Sequence, residues 1–565
     1  MPDETTVRFR REWVMDRHWI TGWVVALALV LSWSVDGRGA ETARPNILIL
    51  IADDLGFTDL GCYGSEINTP TLDGLAATGT IFSNFHTATT CSPTRAMLLT
   101  GVDHHRAGMG TMYEYLDAAP EQIGRPGYEG HLNQSVVTIA EVLQSAGYST
   151  AISGKWHLGN QLAVSQAPIG RGFEHSWVLW SGWSEHFAAA LPRHVFVDGA
   201  RGVPFPAGKY STEWYTDKAI EFADRAIDTQ KPFFLVTAYT APHWPLQAPA
   251  DAIARQKGKY DAGYEVLRRE RIAGLARTGM ISADVALAAT PGYQPPLHHA
   301  PRLAETERWQ QLNAKERAHS ARLMELHAAM VEVMDQQIGR LLDHLKSRGQ
   351  LDNTMIVFLS DNGASSLATP AEELAEQYDR AGQAGSFLAY GPEWARASTG
   401  PLRLMKGYPS EGGIRVPAIV RLPGAPRHQT AQAFASVLDL APTIYDLADV
   451  DYPKSFQDHS ILPLEGQSML PLLKGESERV HGEDHAMGWE LFGRAAYRRG
   501  NWKITWIEKP FGASDFELFD VAKDPGESRD VRREHPDVFR ELSAGFDEYV
   551  QSRGVIISRP PYWSE

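Results

Sequence analysis

Four short apolar runs constrain the fold of this chain more than any other feature of its sequence. The run Asn46–Ala52 (NILILIA) is almost continuously apolar, and residues 355–359 repeat the pattern. A third run begins at Phe233, and a shorter one covers residues 149–152. An apolar run of this length is typical of a strand that is buried on both faces, as in a parallel sheet. The runs therefore predict an α/β protein.

Each run is followed by side chains that can take part in chemistry. In chain order these side chains are Asp53, Asp54, Lys155, His157, His243, Asp361 and Asn362. Taken alone, each has an ordinary explanation, such as a helix cap, a turn or a packed histidine. Ligands of open α/β sheets bind beyond the carboxyl ends of the strands, so four strand ends can converge on one place. The coincidence of four predicts a functional site.

The residue types at these strand ends indicate the chemistry. The aspartates and the asparagine offer only oxygen ligands, which suit Ca²⁺ or Mg²⁺ rather than zinc. The lysine, the two histidines and Arg95 add cations and proton donors. Such a set fits a sulfate or phosphate ester, whose charge must be held while one bond to oxygen breaks. These residue types do not distinguish a sulfate ester from a phosphate ester, and they do not identify the nucleophile.

Cys91, in the stretch TTCSPTRAMLLTG, is a candidate for this nucleophile. It is one of two cysteines in the chain, and the other is Cys62. The residues alone leave three interpretations open: a disulfide between the two cysteines, a small buried side chain, and a catalytic residue.

The N-terminal region has the layout of an export signal. Arg8, Arg10 and Arg11 precede a charge-free apolar run at residues 19–35, and small residues follow it. We therefore predict that residues 1–40 are a secretory signal peptide, with an N-terminal membrane anchor as the alternative. The expected location is periplasmic or secreted, or membrane-anchored if the leader is retained.

The net charge of −15 argues against a nucleic-acid partner, because no positive field would attract a phosphate backbone. A small anionic substrate remains compatible with this charge, since its site needs only a few local cations. We expect no stable membrane partner unless the leader is uncleaved.

Two motifs resemble those of a known family. Residues 91–101 (CSPTRAMLLTG) and 147–159 (GYSTAISGKWHLG) resemble the first and second signatures of the formylglycine-dependent (type I) sulfatases. The likeness extends from residue 45 to about residue 526 and is greatest to the bacterial arylsulfatases of the alkaline-phosphatase superfamily. It implies a large mixed, mostly parallel sheet flanked by helices, and hydrolysis of a small-molecule aryl sulfate ester.

The resemblance also implies a covalent change at Cys91. In this family the cysteine of that motif is oxidised to Cα-formylglycine (3-oxoalanine) by a formylglycine-generating enzyme, and the aldehyde hydrate is the nucleophile. By this likeness Cys91 would not join a disulfide, and Cys62 would be a free thiol.

The family roles carry over to matching positions. One Ca²⁺ ion, with Mg²⁺ as the alternative, would be bound by Asp53, Asp54, Asp361 and Asn362, with the modified Cys91 close to it. Lys155 and Lys406 would contact the sulfate oxygens, and His243 would protonate the leaving group. Arg95 would hold the formylglycine hydrate, and His157 would be the base that helps to expel sulfate.

The chain is predicted to have two parts after the leader. Residues 43–428 would form the catalytic domain, with a helical insertion at about 250–329, and residues 429–565 a C-terminal α+β subdomain with a small antiparallel sheet and a helix. Residues 321–345 have apolar side chains at helical spacing, so Met324, Met330 and Met334 are expected in the core. The aromatic-rich stretches 108–116 and 177–187 are interpreted as core and loop packing, with an aryl-binding rim as the alternative.

Other functions remain open at this level. A phosphonate monoester or phosphodiester hydrolase of the same superfamily is the first alternative, because some of these enzymes also use formylglycine. A non-catalytic Ca²⁺-binding protein on this scaffold would lack a catalytic residue, and none is missing. The natural substrate, whether an aryl, alkyl or carbohydrate sulfate, depends on loops rather than on these motifs.

Overall fold

The apolar runs form neighbouring parallel strands at the centre of a large mixed sheet. The computed structural model describes residues 44–187, 196–288, 309–424 and 428–558. The sheet contains β1 (Asn46–Ala52), β2 (Thr80–His86), β3 (Ser149–Lys155), β4 (His175–Leu179), β5 (Phe196–Asp198), β6 (Arg201–Val203), β7 (Phe233–Ala238), β8 (Thr354–Ser360), β9 (Arg415–Arg421), β10 (Gln429–Ala431) and β11 (Ala435–Ser436). The predicted leader lies outside the described residues.

The strand order is β10-β2-β9-β8-β1-β7-β3-β4-β5-β6, and β11 also pairs with β2. The five strands β8, β1, β7, β3 and β4 are mutually parallel. Strand β9 runs antiparallel to both of its neighbours, β8 and β2, and β5 and β6 continue the other end in antiparallel pairs. The predicted fold class, a mixed and mostly parallel α/β sheet, is confirmed.

Both faces of the sheet are covered by apolar side chains. Alternate residues of β1 enter two different clusters: Leu48 and Leu50 face one cluster, and Ile47 and Ile49 face the other. This two-sided burial explains why β1 reads as a continuous apolar run rather than as an alternating one.

Helices flank the sheet. They are α1 (Pro70–Ala77), α2 (Cys91–Thr100), α3 (His104–Ala107), α4 (Ile139–Ser145), α5 (Ser211–Asp228), α6 (Ala250–Gln256), α7 (Tyr264–Arg277), α8 (Ala283–Ala288), α9 (Ala314–Ser347), α10 (Ala371–Gln377), α11 (Pro392–Thr399), α12 (Glu411–Ile414), α13 (Leu440–Ala448), α14 (Leu470–Lys474) and α15 (Pro536–Arg553). Met324, Met330 and Met334 of α9 are fully buried, as their spacing predicted. No helix within the described ranges is both long and apolar enough to cross a membrane.

A small antiparallel sheet follows toward the C-terminus, as predicted. It consists of β14 (Ala486–Leu491), β15 (Arg494–Arg499), β16 (Trp502–Trp506) and β17 (Phe516–Asp520), with α15 packed against it. A further pair, β12 (Ser455–Phe456) and β13 (His459–Ser460), precedes it.

The small sheet is joined to the large one by buried polar contacts. The Lys503 ammonium donates to Glu411 at 2.8 Å and lies 3.0 Å from Glu527, and all three side chains are buried. The Trp489 indole donates to the carbonyl of Thr87 at 2.8 Å. Strands β10 and β11, which follow the proposed boundary at residue 428, add to the large sheet. From Pro45 onward the chain forms one compact unit.

Candidate active site

The register of the central strands brings their carboxyl ends to one edge of the sheet. Ile51 of β1 pairs with both Ala238 of β7 and Leu359 of β8, and Ala238 in turn pairs with Gly154 of β3. The residues that immediately follow these paired positions therefore lie side by side at the same edge of the sheet. This is the edge at which ligands bind in open α/β sheets.

The two aspartates after β1 each accept a hydrogen bond from a lysine. The Lys155 ammonium, on the last residue of β3, donates to Asp53 Oδ2 at 2.7 Å. The Lys406 ammonium donates to Asp54 Oδ1 at 2.6 Å, and the Asn362 amide donates to the same oxygen at 2.7 Å. Asp54 has a φ of 66°, an unusual backbone conformation for a residue other than glycine, directly after the strand. The lysines that were expected to contact substrate thus hold the carboxylates.

Helix α2 places Cys91 and Arg95 at the same site. Cys91 is the first residue of the helix, and Arg95 lies one turn later on the same face. The Arg95 guanidinium donates to Asp361 Oδ2 from Nε and Nη2, at 3.1 and 2.7 Å, and to the carbonyl of Lys155 at 2.9 Å. Cys91 Sγ lies 3.4 Å from Lys406 Nζ, which donates to it. The amino end of a helix favours negative charge, so α2 adds to the local positive potential.

The loop of Lys406 is held from three sides. Its backbone N–H donates to the carbonyl of Ala364 at 3.0 Å, just beyond β8, and the N–H of Gly407 donates to Thr89, two residues before Cys91, at 2.8 Å. Arg494 of the small sheet donates to the carbonyl of Gly407 at 3.0 Å. The C-terminal sheet therefore helps to position a residue of the site.

The acidic residues form a group that fits a hard cation. Ligand atoms of Asp53, Asp54, Cys91 and Asp361 all lie within 4.8 Å of one another, and all four residues are buried. Three buried oxygens have no hydrogen-bond partner among the described residues, namely Asp53 Oδ1, Asp54 Oδ2 and Asn362 Oδ1. Unpaired buried oxygens are costly, and Ca²⁺ or Mg²⁺ takes oxygen ligands of this kind. The donor set thus fits a divalent metal.

The charges of the site nearly cancel without a metal. The charged side chains at its centre are the carboxylates of Asp53, Asp54 and Asp361 and the cations of Arg95, Lys155 and Lys406. Burial alone would raise the pKa of Asp54, but Lys406 and the neighbouring cations outweigh burial and hold that pKa below its ordinary value. A dication added to three anions and three cations leaves a net positive charge, which favours an anionic ester.

Cys91 is a poor nucleophile as an ordinary thiol. Burial raises its pKa to about 12, although Lys155 and Lys406 act in the opposite direction. Because the thiolate is the reactive form, the unmodified side chain would be almost entirely inert at neutral pH. Both cysteines are free, which excludes the disulfide alternative. Cys62 packs on the α9 face of the sheet, whereas α2 packs on the opposite face.

His243 lies beside Asp54 and two tryptophans. Its Nδ1 contacts the carbonyl of Trp244 at 2.6 Å, and its Nε2 lies 3.5 Å from Asp54 Oδ2. Burial lowers the pKa of His243 to about 3, with Lys406 and Lys155 acting in the same direction and Asp54 against it. The rings of Trp244 and Trp183 lie 4.4 Å apart between centroids, so a partly exposed aromatic pair adjoins this histidine.

His157 lies at the edge of the network, next to a residue that sequence reasoning missed. Its Nε2 is 2.9 Å from Glu114 Oε1. Glu114 belongs to the short 3₁₀ helix Tyr113–Ala118, inside one of the aromatic-rich stretches. No local pattern connects Glu114 to a histidine that follows it by 43 residues. The charges of Lys155 and Arg95 lie close enough to help burial lower the pKa of His157.

A second histidine cluster lies outside the site. His105 contacts Asp103 at 3.0 Å and Glu490 at 3.2 Å, and the Tyr549 hydroxyl donates to Asp103 at 3.1 Å. Burial lowers the pKa of His105, but the two carboxylates outweigh burial and raise it to about 9. Because Glu490 and Tyr549 belong to β14 and α15, this network links the small sheet and its helix to the main body.

Comparison with known proteins covers almost the whole chain. Residues 45–450 match the Sulfatase family model, and residues 403–551 match the model for the C-terminal part of N-sulphoglucosamine sulphohydrolase. The chain is 38% identical over 559 residues to an uncharacterized sulfatase of Schizosaccharomyces pombe, covering 94% of this chain and 97% of the relative. It is 37% identical over 464 residues to an arylsulfatase of Klebsiella aerogenes, covering 79% of this chain and 96% of that enzyme. The solved structure of Ps i-CgsB with k-i-k-neocarrahexaose has the same fold, with a TM-score of 0.64 at 24% identity over 92% of this chain and 95% of that one.

Proposed function

This chain belongs to the sulfatase family of the alkaline-phosphatase superfamily, whose members hydrolyse sulfate esters, and on that premise we propose that it is an arylsulfatase that uses formylglycine at position 91 and one Ca²⁺ ion. One observation carries this proposal. Cys91 begins a helix that aims it at a buried group of unpaired carboxylate and amide oxygens, with Lys155 and Lys406 beside them.

The metal would be held by the oxygen ligands already named. Ca²⁺, or Mg²⁺ in its place, would bind Asp53, Asp54, Asp361 and Asn362, and when bound it would supply positive charge for the sulfate oxygens. Asp361 would keep its contact with Arg95, because that contact uses Oδ2, whereas Oδ1 accepts only a long hydrogen bond of 3.4 Å from the Asp54 backbone N–H.

The modified side chain would supply the nucleophile. A maturation enzyme would oxidise Cys91, and the hydrate of the resulting aldehyde would offer two hydroxyls on one carbon, one for attack on sulfur and one for release of sulfate. An unmodified thiol would lack the second hydroxyl and would leave the sulfate covalently attached after one turnover. Arg95, one helical turn from Cys91, would hold the hydrate in place.

The remaining residues would bind substrate and move protons. Lys155 and Lys406 would stabilise the sulfate oxygens. Each ammonium would then donate some of its hydrogen bonds to sulfate instead of to the aspartates. His243 would protonate the leaving oxygen through Nε2, since Nδ1 contacts a backbone carbonyl. A bound sulfate ester brings a negative charge, which favours the protonated form of His243. His157 would accept a proton when sulfate is expelled.

An aryl group on the substrate is supported by the aromatic pair beside His243. Trp183 and Trp244 are partly exposed and lie on the side of the residue that would protonate the leaving oxygen. A phenol leaving from that oxygen could pack against them, as aromatic rings prefer to pack. Residues 177–180 are buried, as the interpretation of core packing expected, so the aryl-binding rim that we propose is limited to Trp183 and Trp244.

We also propose the cellular setting and the division of the chain. The leader-like residues 1–40 support export. The division into residues 43–428 and 429–565 assigns the small sheet and its helix to the second part, although β10 and β11 of that part join the large sheet. On this view the maturation enzyme acts before the chain is folded, since Cys91 is buried in the folded protein.

The first prediction concerns substrate class. Purified protein should turn over nitrophenyl sulfate with a kcat/KM about tenfold or more above that for nitrophenyl phenylphosphonate or a sulfated monosaccharide. The phosphonate has a bulky phenyl group where the sulfate has an oxygen for the lysines to contact, and the sugar has no flat ring to pack against the two tryptophans. Steady-state kinetics on the three substrates measure this. A preference for the phosphonate would indicate the sister activity, and a preference for the sugar would overturn the aryl assignment.

The second prediction concerns His243. His243→Ala should reduce kcat on an alkyl sulfate by about 10²–10⁴-fold and on nitrophenyl sulfate much less, because a good leaving group needs little protonation. Parallel kinetics on both substrates test this, with His459→Ala on the exposed strand β13 as the control variant. Equal losses on both substrates would remove the acid role from His243.

A further inference from the structure

We propose that Glu114 fixes the tautomer of His157, so that Nδ1 is the nitrogen that acts as the base in the site. This role rests on the proposed function of His157. Glu114 would be a positioning residue, because it acts through the imidazole rather than on the substrate.

The contact between the two side chains determines where the proton lies. Glu114 Oε1 is 2.9 Å from His157 Nε2, a normal length for a hydrogen bond to a charged group. An ionised carboxylate can only accept a hydrogen bond, so Nε2 must carry the hydrogen. The Glu114 side chain is 41% exposed and accepts a hydrogen bond from the ring, so its carboxylate is ionised at neutral pH even beside a neutral imidazole.

A neutral imidazole has one ring proton, and Nε2 takes it. Burial lowers the pKa of His157, which favours the neutral ring. The other nitrogen, Nδ1, is buried and has no hydrogen-bond partner within the described parts of the chain. A buried nitrogen with a free lone pair is expensive in a folded protein unless a ligand or a reacting group uses it. This unpaired atom is the second observation that points to a role for the pair.

The ring is also held in place by its surroundings. His157 has a φ of 58°, a strained conformation for a residue with a Cβ atom. A Cβ added at Gly182 would lie 2.6 Å from Cε1 and 2.8 Å from Nε2 of the imidazole, so only glycine leaves room for the ring. Any larger residue at position 182 would displace the imidazole from its place beside Glu114.

The arrangement would assist a proton transfer in the site. When His157 accepts a proton at Nδ1, the donating hydroxyl keeps the electron pair of its O–H bond, and the ring becomes an imidazolium. The Glu114 carboxylate then stabilises this positive charge, because it accepts a hydrogen bond from Nε2–H. A carboxylate that orients a histidine and stabilises its charged form acts in the same way in catalytic triads.

An ordinary ion pair is the competing explanation. The Glu114 side chain is 41% exposed, and exposed ion pairs contribute little to stability. A purely structural ion pair would contain a doubly protonated His157 and predicts no change in turnover when Glu114 is replaced. A positioning role predicts a neutral ring protonated at Nε2, and a loss of turnover with little loss of stability when Glu114 is replaced.

The tautomer can be measured directly, without substrate. Long-range nitrogen–proton correlation spectra of protein labelled with ¹⁵N-histidine distinguish protonated from unprotonated ring nitrogens, and a His157→Asn variant identifies the His157 signals. Wild type should show His157 protonated at Nε2. Glu114→Ala should shift the ring toward a mixture of tautomers. A wild-type His157 that carries its proton on Nδ1 would overturn the inference.

Kinetics provide the second readout. Glu114→Ala should lower kcat by about 10–100-fold with KM nearly unchanged, as is typical of residues that orient a catalytic group. Glu114→Gln keeps an acceptor oxygen without the charge and should recover part of the loss. Asp117→Ala, which removes an exposed carboxylate from the same 3₁₀ helix, is the matched control. A Glu114→Ala enzyme with wild-type kcat would overturn the inference, whereas wild-type protein without sulfatase activity but with the Nε2–H tautomer would contradict only the proposed function.

Discussion

Cys91→Ala is expected to abolish turnover of sulfate esters while leaving the fold intact. The proposed nucleophile is formed from this side chain, and loss of a catalytic nucleophile costs on the order of 10⁴-fold or more in kcat. The substitution removes one buried sulfur at the start of α2, so the free energy of unfolding should fall by only about 1 kcal/mol. Activity assays and thermal unfolding of the same preparation measure the two effects.

Cys62→Ala is the matched control for this variant. Cys62 lies in a short 3₁₀ helix on the other face of the sheet, and its loss should leave kcat unchanged. The mass of the tryptic peptide that contains position 91 gives an independent measurement, because conversion of a thiol to an aldehyde lowers it. Substantial activity in Cys91→Ala, or full activity in protein whose position 91 is wholly an unmodified cysteine, would contradict the formylglycine proposal.

Removal of the divalent metal should eliminate activity and also lower thermal stability. The metal would pair three buried oxygens that have no hydrogen-bond partner among the described residues and would give the site a net positive charge. Without it these oxygens stay unpaired, and the site loses the positive charge that attracts the sulfate group. A ligand present at 100 times its Kd stabilises the folded state by about 2.7 kcal/mol, which is large enough to shift the unfolding temperature measurably. Chelation, metal analysis and unfolding curves test this, and added Ca²⁺ should restore both properties.

The inactive Cys91→Ala protein separates metal binding from turnover. Its oxygen ligands are intact, so it should show nearly the same shift of unfolding temperature on addition of Ca²⁺. A verified metal-free wild-type sample that retains full activity and the same unfolding temperature would count against a metal site at Asp53, Asp54, Asp361 and Asn362.

Local patterns in the sequence predicted most of the fold. A strand buried on both faces is apolar at nearly every position, so β1, β7 and β8 could be recognised without knowledge of their partners. Helical spacing likewise predicted the buried methionines of α9. Each of these features depends on a residue and its near neighbours.

The convergence of the strand ends was also predictable, because strands of a parallel sheet present their carboxyl ends to one edge. That rule places Asp53, Asp361 and Lys155 in one region without any knowledge of their contacts. It cannot say which lysine bonds to which aspartate. The pairs Lys155–Asp53 and Lys406–Asp54 depend on register and on the path of the Lys406 loop.

Only the tertiary structure decided the contacts between residues that no local rule connects. Glu114, in a short 3₁₀ helix, contacts His157 just beyond β3, and Arg494 of the small sheet holds the loop of Lys406. The sequence by itself determined the strands, the motif around Cys91 and the oxygen-rich character of the site, because these follow from apolar runs and residue types. The packed chain determined how each side chain is paired, because hydrogen bonds between distant segments exist only after burial and register have placed their atoms within reach.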